Sequence, residues 1–151
     1  MICGDVIADV GSDHAYLPIW LYQNNKIKKA YALDISENCV NRIKSNVKKY
    51  NIPTDIIIPV LSDGLSCFDC EYDFAELTDI IIAGMGGQNI AEIIKNANII
   101  NDVNLILQPN SKMRFLREFL RDNNFDVLQD IVIESKNRRY TVINAKCGMR
   151  N

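Results

Sequence analysis

Five apolar runs, separated by segments with helical periodicity, constrain the fold of this chain most. The runs cover residues 6–10, 30–35, 56–61, 79–84 and 103–108. Strands that alternate with helices form a parallel sheet with helices on both faces. Pro59 removes a backbone donor from the third run. We therefore predict that the third strand lies at an edge of the sheet, as in the doubly wound order 3-2-1-4-5.

The alternation stops after the fifth run and a helix that begins near Ser111. Residues 125–134 and 140–147 are predicted as two strands, joined by residues 135–139, a connection too short for a crossover helix. An antiparallel hairpin then closes the sheet. The predicted fold is α/β and Rossmann-like, with a seven-stranded, mostly parallel sheet in the order 3-2-1-4-5-7-6 and helices on both faces. This is the class I methyltransferase pattern.

Composition and short sequence motifs limit which class of protein this can be. A chain of 151 residues with 48% hydrophobic and 24% charged residues is predicted to form one soluble globular domain, residues 1–151. It has no apolar run that could span a bilayer and no early lysine or arginine, so we expect a cytoplasmic protein. The single CxxC, Cys67–Cys70, has no second ligand pair for zinc and is not expected to open a helix, which predicts reduced thiols and no metal.

The ends of the first two strands predict a nucleoside cofactor. The first strand ends in Asp9 and continues into the loop 11–14, and the second ends in Asp34, where a carboxylate can take both ribose hydroxyls. The loop lacks the GxGxxG of a pyrophosphate binder, and Asp9 and Asp13 would repel phosphate. Acids suit the ammonium and sulfonium of S-adenosylmethionine. His14 in this loop is either a catalytic group or a hydrogen-bonded structural group.

Three more strand ends carry candidate residues, each with a structural alternative. Asp63 can accept a hydrogen bond from the cofactor's adenine amine or form an Asx turn. The glycines of residues 84–87 indicate a ligand or a helix packed close to the backbone. The amides of Gln108 and Asn110, beside Pro109, can read a base edge or can cap a turn.

These motifs occur together in one order along the chain. They are DVGSDHAYLP (9–18), ALDI (32–35), DGL (63–65), AGMGG (83–87), LILQPN (105–110) and RYTVI (139–143). The series resembles the bacterial tRNA (adenine-22-N1)-methyltransferase family. The resemblance implies methyl transfer from S-adenosylmethionine to N1 of adenine 22 in tRNA. The expected cofactor-binding residues are Asp9, Gly11, Ser12, Asp13, His14, Asp34, Ile35, Asp63, Gly64, Gly84, Met85 and Gly86.

The resemblance also yields a hypothesis for the target base. Pairing occupies adenine N1 in a stem, so the base must be extruded. Gln108, Pro109 and Asn110 are expected to contact it, and Asp13 or His14 to accept a proton from N6. Family members carry a helical segment before the first strand and a helical extension after the last. This chain starts at the first strand and stops just after the last, so both segments are expected to be missing.

Charge is distributed unevenly along the chain. Residues 1–111 carry a net charge of −6 and residues 112–151 a net charge of +4. The basic end is either a phosphate-facing surface or a set of solvated faces. The candidates for RNA binding are Lys112, Arg114, Arg117, Arg138 and Arg139, with Lys136 beside them.

Three rival functions remain open from the sequence. The first is a dehydrogenase-type nucleotide binder, against which the absent GxGxxG and the closing hairpin both argue. The second is an RNA-binding module of methyltransferase fold without activity. The third is an S-adenosylmethionine-dependent methyltransferase that acts on another substrate. No membrane association is predicted, and the sequence does not identify a protein partner.

Overall fold

The computed structural model describes residues 1–99 and 102–148, which form one seven-stranded sheet with helices on both faces. The elements are β1 Val6–Val10, α1 Tyr16–Gln23, β2 Lys29–Asp34, α2 Glu37–Lys49, β3 Ile57–Leu61, α3 Cys67–Cys70, a 3-10 turn Phe74–Glu76, β4 Asp79–Gly86, α4 Gly87–Asn96, β5 Asn104–Ser111, α5 Met113–Asp122, β6 Phe125–Ser135 and β7 Arg138–Cys147.

The strand order is β3-β2-β1-β4-β5-β7-β6, which confirms the predicted fold. β1 pairs in parallel with β2 and β4, β3 with β2, and β5 with β4. β7 runs antiparallel to β5 and β6. Pro59 lies in the edge strand β3, where a missing backbone donor costs no central ladder bond.

The helix starts follow the signals in the sequence. α1 begins at Tyr16 and has Pro18 in its first turn, where a proline is tolerated because its missing N–H would have no partner within the helix. Ser36 caps α2, because its hydroxyl oxygen accepts a hydrogen bond from the Cys39 backbone N–H at 3.4 Å. The helix after the fifth strand begins at Met113, two residues after the predicted position.

Two local expectations were wrong. The turn between β6 and β7 is only Lys136 and Asn137, whose φ angles of 48° and 62° are those of a tight two-residue hairpin turn. Cys67 and Cys70 do span the short helix α3. Burial raises the pKa of the Cys67 thiol and so disfavours a reactive thiolate, and Cys70 is exposed.

Alternating side chains of the central strands supply two cores. Ile80 and Ile82 of β4 pack on the side of α4 and α5, whereas Ile81 packs on the side of α1 and α2. Helices cover the sheet on both faces and bury its central strands, and this packing holds the strand ends in fixed positions. Within the described residues, no helix is long and apolar enough to cross a membrane.

A buried carboxylate organises the amino edge of the sheet. Asp79, at the start of β4, is fully buried and accepts four hydrogen bonds. Its donors are the backbone N–H groups of Cys3 and Gly4, at 2.8 and 3.1 Å, the Thr78 hydroxyl at 2.8 Å and the Asn104 amide at 2.6 Å. This network fixes the chain before β1 and links it to β5.

We predict that Asp79→Ala lowers the free energy of unfolding by about 3 kcal/mol, because it removes the acceptor of four donors, among them the buried Asn104 amide. Urea denaturation measures this loss. The control is Asp55→Ala, an exposed carboxylate before β3, which should change stability by less than about 0.5 kcal/mol. Similar losses for both variants would contradict this role for the buried network.

Candidate functional site

A cavity of about 580 Å³ opens at the carboxyl edge of the sheet, where ligands bind in open α/β folds. It lies between the ends of β1, β2 and β3 on one side and β4 and α4 on the other. Its lining residues are Val10, Gly11, Asp34, Ile35, Ser62, Asp63, Gly64, Leu65, Ser66, Met85, Asn89, Glu92, Ile93, Asn96 and Ala97.

The structure separates the residues predicted to bind the cofactor into two sets. Those that line the cavity are Gly11, Asp34, Ile35, Asp63, Gly64 and Met85. Those that lie outside its lining are Asp9, Ser12, Asp13, His14, Gly84 and Gly86. The segment 108–110, predicted to contact the target base, also lies outside the lining.

The first loop turns sharply over the end of β2. Gly11 has φ 71°, and its N–H and that of Ser12 both donate to the Leu33 carbonyl oxygen at 2.9 Å. A Cβ on Gly11 would come within 2.5 Å of the Met85 side chain. The left-handed backbone favours glycine at this position, and the flexible end of Met85 would have to move to admit a larger residue.

Asp34 is the carboxylate that the structure fixes most firmly at the cavity. It is 9% exposed and lines the cavity at the tip of β2. One oxygen accepts from the Asp13 backbone N–H at 3.1 Å, and the other accepts from the Ser36 N–H at 3.0 Å. Each oxygen keeps a second lone pair. The carboxylate can therefore accept two further hydrogen bonds from a ligand without moving.

Asp9 lies beneath this loop at the tip of β1. The Ser12 hydroxyl donates to its carboxylate at 2.7 Å. Burial, together with the nearby charge of Asp34, raises the pKa of Asp9 from 3.8 to about 6, and the Ser12 bond opposes that rise. A cation near the loop would favour the ionised form of this buried acid.

Asp13 and His14 turn towards helix α2 and each other. The Asp13 carboxylate lies 3.1 Å from the Arg42 guanidinium and 3.6 Å from His14 Nε2. The His14 ring stacks on the Tyr16 ring at a centroid distance of 5.0 Å. The Asn46 amide donates to the His14 carbonyl at 2.9 Å. These contacts hold the loop in place against α2.

The turn that follows β3 also lines the cavity. The Ser62 hydroxyl donates to the Gly64 carbonyl at 3.0 Å, and Gly64 has φ 58°. This tight turn holds Asp63 at the cavity edge. Ile35 lies on the neighbouring strand end with 70% of its surface exposed. The exposed Ile35 side chain can pack on the face of a flat aromatic ligand, and the Asp63 carboxylate can accept a hydrogen bond from an exocyclic amine on it.

The glycines of residues 84–87, at the end of β4 and the start of α4, lie close to the end of β5. A Cβ on Gly87 would lie 2.5 Å from the Lys112 carbonyl oxygen, and one on Gly86 would lie 3.2 Å from the Ser111 hydroxyl. Gly84 has φ 76° and donates its N–H to the Gln108 side-chain oxygen at 3.0 Å. Met85 is the member of this turn that reaches the cavity.

Sequence reasoning missed the wall that α4 contributes. Four residues of α4, spaced so that they share one face of the helix, line the cavity: Asn89, Glu92, Ile93 and Asn96. The signal was present in the sequence. These positions alternate with the buried Ile90 and Ile94, so a second, mostly polar face of the same helix was readable.

Much of the basic C-terminal segment is paired with acids. Three predicted RNA-binding residues form ion pairs: Arg114 with Glu118 and Arg139 with Glu134, both at 2.9 Å, and Arg117 with Asp130 at 2.6 Å. The Arg117 contact holds the pKa of Asp130 below its usual range. Lys112 and Arg138 are exposed and pair with no acid in the part of the chain that the structure describes.

The comparison with protein families agrees with this geometry. The family described as "Methyltransferase domain" matches residues 1–143, which include every strand end that forms the cavity. The chain belongs to the methyltransferase domain family.

One similar protein and one solved structure have names that describe methyltransferases of tRNA. This chain is 33% identical over 150 residues to the tRNA (adenine(22)-N(1))-methyltransferase of Bacillus subtilis, covering 98% of this chain and 61% of the relative. The solved structure of the B. subtilis m1A22 tRNA methyltransferase TrmK matches with a TM-score of 0.87 and 33% identity, covering 96% of this chain and 61% of that one.

A further relative was solved with a ligand. The structure of Mycoplasma capricolum TrmK in complex with S-adenosyl-homocysteine matches with a TM-score of 0.83 and 35% identity, over 95% of this chain and 62% of that one. This methyltransferase domain therefore spans about three fifths of the length of these relatives.

We predict a pH-dependent stability from Asp9. Since its folded pKa is raised, the folded protein binds more protons than the unfolded chain between about pH 4 and pH 6. This group's contribution to the free energy of unfolding therefore falls as pH rises through that window, by about 3 kcal/mol. Asp9→Asn removes the fall. Urea denaturation of wild type and variant across the pH range measures the difference.

Ser12→Ala is the matched variant for this prediction. It removes the hydrogen bond that lowers the Asp9 pKa, so its fall in stability should extend to higher pH than in the wild type. A difference between Asp9→Asn and wild type that stays constant with pH would contradict the raised pKa.

Proposed function

We propose that this chain binds S-adenosylmethionine in the cavity at the carboxyl edge and methylates N1 of adenine 22 in tRNA. The observation that carries the proposal is the Asp34 carboxylate. It is buried at the cavity wall, oriented by two backbone N–H groups, and keeps lone pairs for two ligand hydroxyls. The names of the Bacillus and Mycoplasma relatives support the same ligand and the same substrate.

The residues of the cavity fit the parts of this cofactor. Asp34 would take the ribose hydroxyls, Asp63 the adenine amine, and Ile35 one face of the adenine ring. Asp9, whose pKa is raised to about 6, would ionise more readily beside the ammonium of the methionine part.

When bound, the cofactor supplies a methyl group on a cationic sulfur, and transfer leaves a neutral thioether and a positive charge on the base. Adenine N1 already carries an in-plane lone pair, so this chain needs no strong base to create the nucleophile. Its residues act mainly by holding the two reactants in line, which can contribute several kcal/mol. Asp13 and His14, in mutual contact beside the first loop, are the candidates to accept the N6 proton.

The proposed RNA contacts lie on the basic C-terminal part. Lys112 and Arg138 are exposed cations outside the ion pairs found among the described residues, so they can neutralise phosphates directly. Three further arginines already pair with carboxylates and would have to release them, or contact a carboxylate and a phosphate at once: Arg114, Arg117 and Arg139. A tRNA substrate makes the cytoplasm the site of action.

The decisive experiment is mass spectrometry of tRNA nucleosides after incubation with this chain and cofactor carrying a deuterated methyl group. We expect label in 1-methyladenosine, and none when adenine 22 is replaced by guanine. Label in another nucleoside would mean a different target. No label, despite a higher melting temperature with S-adenosylhomocysteine, would mean a cofactor-binding module without this activity.

We predict that Asp34→Ala raises the dissociation constant for S-adenosylhomocysteine about 10- to 100-fold, because it removes charge-assisted hydrogen bonds to the ribose. Isothermal titration calorimetry measures the constant. The control is Asp69→Ala, an exposed acid on α3 outside the cavity lining, which should leave affinity unchanged. Asp34→Asn keeps one side-chain oxygen that can accept a hydrogen bond from the loop, so it tests whether a loss of affinity in Asp34→Ala comes only from misfolding. Unchanged affinity in both Asp34 variants would refute the ribose assignment.

A further inference from the structure

The segment Gln108–Asn110 lies against the turn that reaches the cofactor cavity. In the register of β4 and β5, Ala83 pairs with Gln108 and Met85 with Pro109. Met85 lines the cavity, and Asn110 is exposed just beyond this pair. Asn110 is therefore the exposed side chain that follows the strand pair whose member Met85 reaches the cavity.

Hydrogen bonds fix the direction of both amides in this segment. The Gly84 N–H can only donate, so the group that faces it at 3.0 Å is the Gln108 oxygen Oε1. The Gln108 nitrogen Nε2 then donates to Asn110 Oδ1 at 3.0 Å and to the Pro109 carbonyl at 3.3 Å. Asn110 is left with its two Nδ2 protons and one Oδ1 lone pair for a ligand.

We propose that Asn110 recognises the N6 and N7 edge of the target adenine and that Gln108 is the positioning residue that presets its amide. The inference rests on the proposed function. Methyl transfer requires a free N1, so the amide must read the base from the other edge. An asparagine amide matches that edge, because Oδ1 accepts from N6 and Nδ2 donates to N7.

The preset amide also accounts for discrimination between purines. Guanine presents an acceptor at position 6, which would face the Asn110 oxygen and repel it. Turning the amide over would bring Oδ1 against the N7 acceptor of guanine, so neither orientation matches guanine, and the bond from Gln108 holds the orientation that matches adenine. The Gly84 turn thus supports base selection through two hydrogen bonds in series.

The test uses tRNA with 7-deazaadenine at position 22, which lacks the N7 acceptor and keeps N1 and N6. For each enzyme we divide kcat/KM for the 7-deazaadenine tRNA by kcat/KM for normal tRNA. We expect this ratio to be roughly tenfold lower for the wild type than for Asn110→Ala, because the variant has no donor to lose. Comparing the two ratios cancels the effect of the deaza change on N1 itself. Asn38→Ala, an exposed asparagine on α2, should keep the wild-type ratio.

Gln108→Glu tests the positioning role. A glutamate can still accept from Gly84 N–H, but it cannot donate to Asn110, so the Asn110 amide should turn its nitrogen towards the new carboxylate. We expect this variant to lose sensitivity to the deaza change, as Asn110→Ala does, while its affinity for S-adenosylhomocysteine stays unchanged. A purely structural residue would not alter that sensitivity.

The outcomes separate this inference from the proposed function. Methylation of both tRNAs by wild type with the same ratio as Asn110→Ala overturns the reading of N7 and leaves the proposed function standing. A Gln108→Glu variant that keeps the wild-type ratio overturns the positioning role. No methylation of normal tRNA overturns the proposed function, and this inference with it.

Discussion

The parallel pairing of β1 with β2 and β4 is the constraint on which the site depends. Parallel strands that share a register end at the same edge, so residues far apart in sequence meet there. Asp9 and Asp34 sit at neighbouring strand tips for this reason, and the charge of Asp34 adds to the effect of burial in raising the pKa of Asp9. Apolar side chains on both faces hold the strands in register, which keeps the two carboxylates close although their charges repel.

Buried carboxylates act differently at the two edges of the sheet. At the amino edge, Asp79 takes hydrogen bonds from four protein donors and serves structure. At the carboxyl edge, Asp34 takes two backbone donors and faces a cavity, and Asp9 takes one hydroxyl. Carboxylates with unused acceptor capacity next to a cavity are suited to a ligand that brings hydroxyls and positive charge. The same residue type thus has two roles, set by how many donors the fold supplies.

Most of the fold was predictable from sequence because its signals are local. Apolar runs mark the strands, Ser36 marks a helix start, and Pro59 marks an edge. The errors were local too. The two-residue turn at Lys136 and Asn137 requires left-handed φ angles at residues that are not glycine, and composition did not specify them. The helix at Cys67 is a single turn, too short for a periodic pattern.

The sequence alone determined the order of the elements and the acids at the strand tips, since both follow from patterns within a few residues. Which candidates share a cavity depends on the packing of the folded chain. This packing places α4 in the wall, turns Asp13 towards Arg42, and pairs much of the basic segment with acids. It also brings the glycines of residues 84–87 close to the end of β5 and orients Gln108. These outcomes depend on distances between segments that are remote along the chain, and no local pattern encodes such distances.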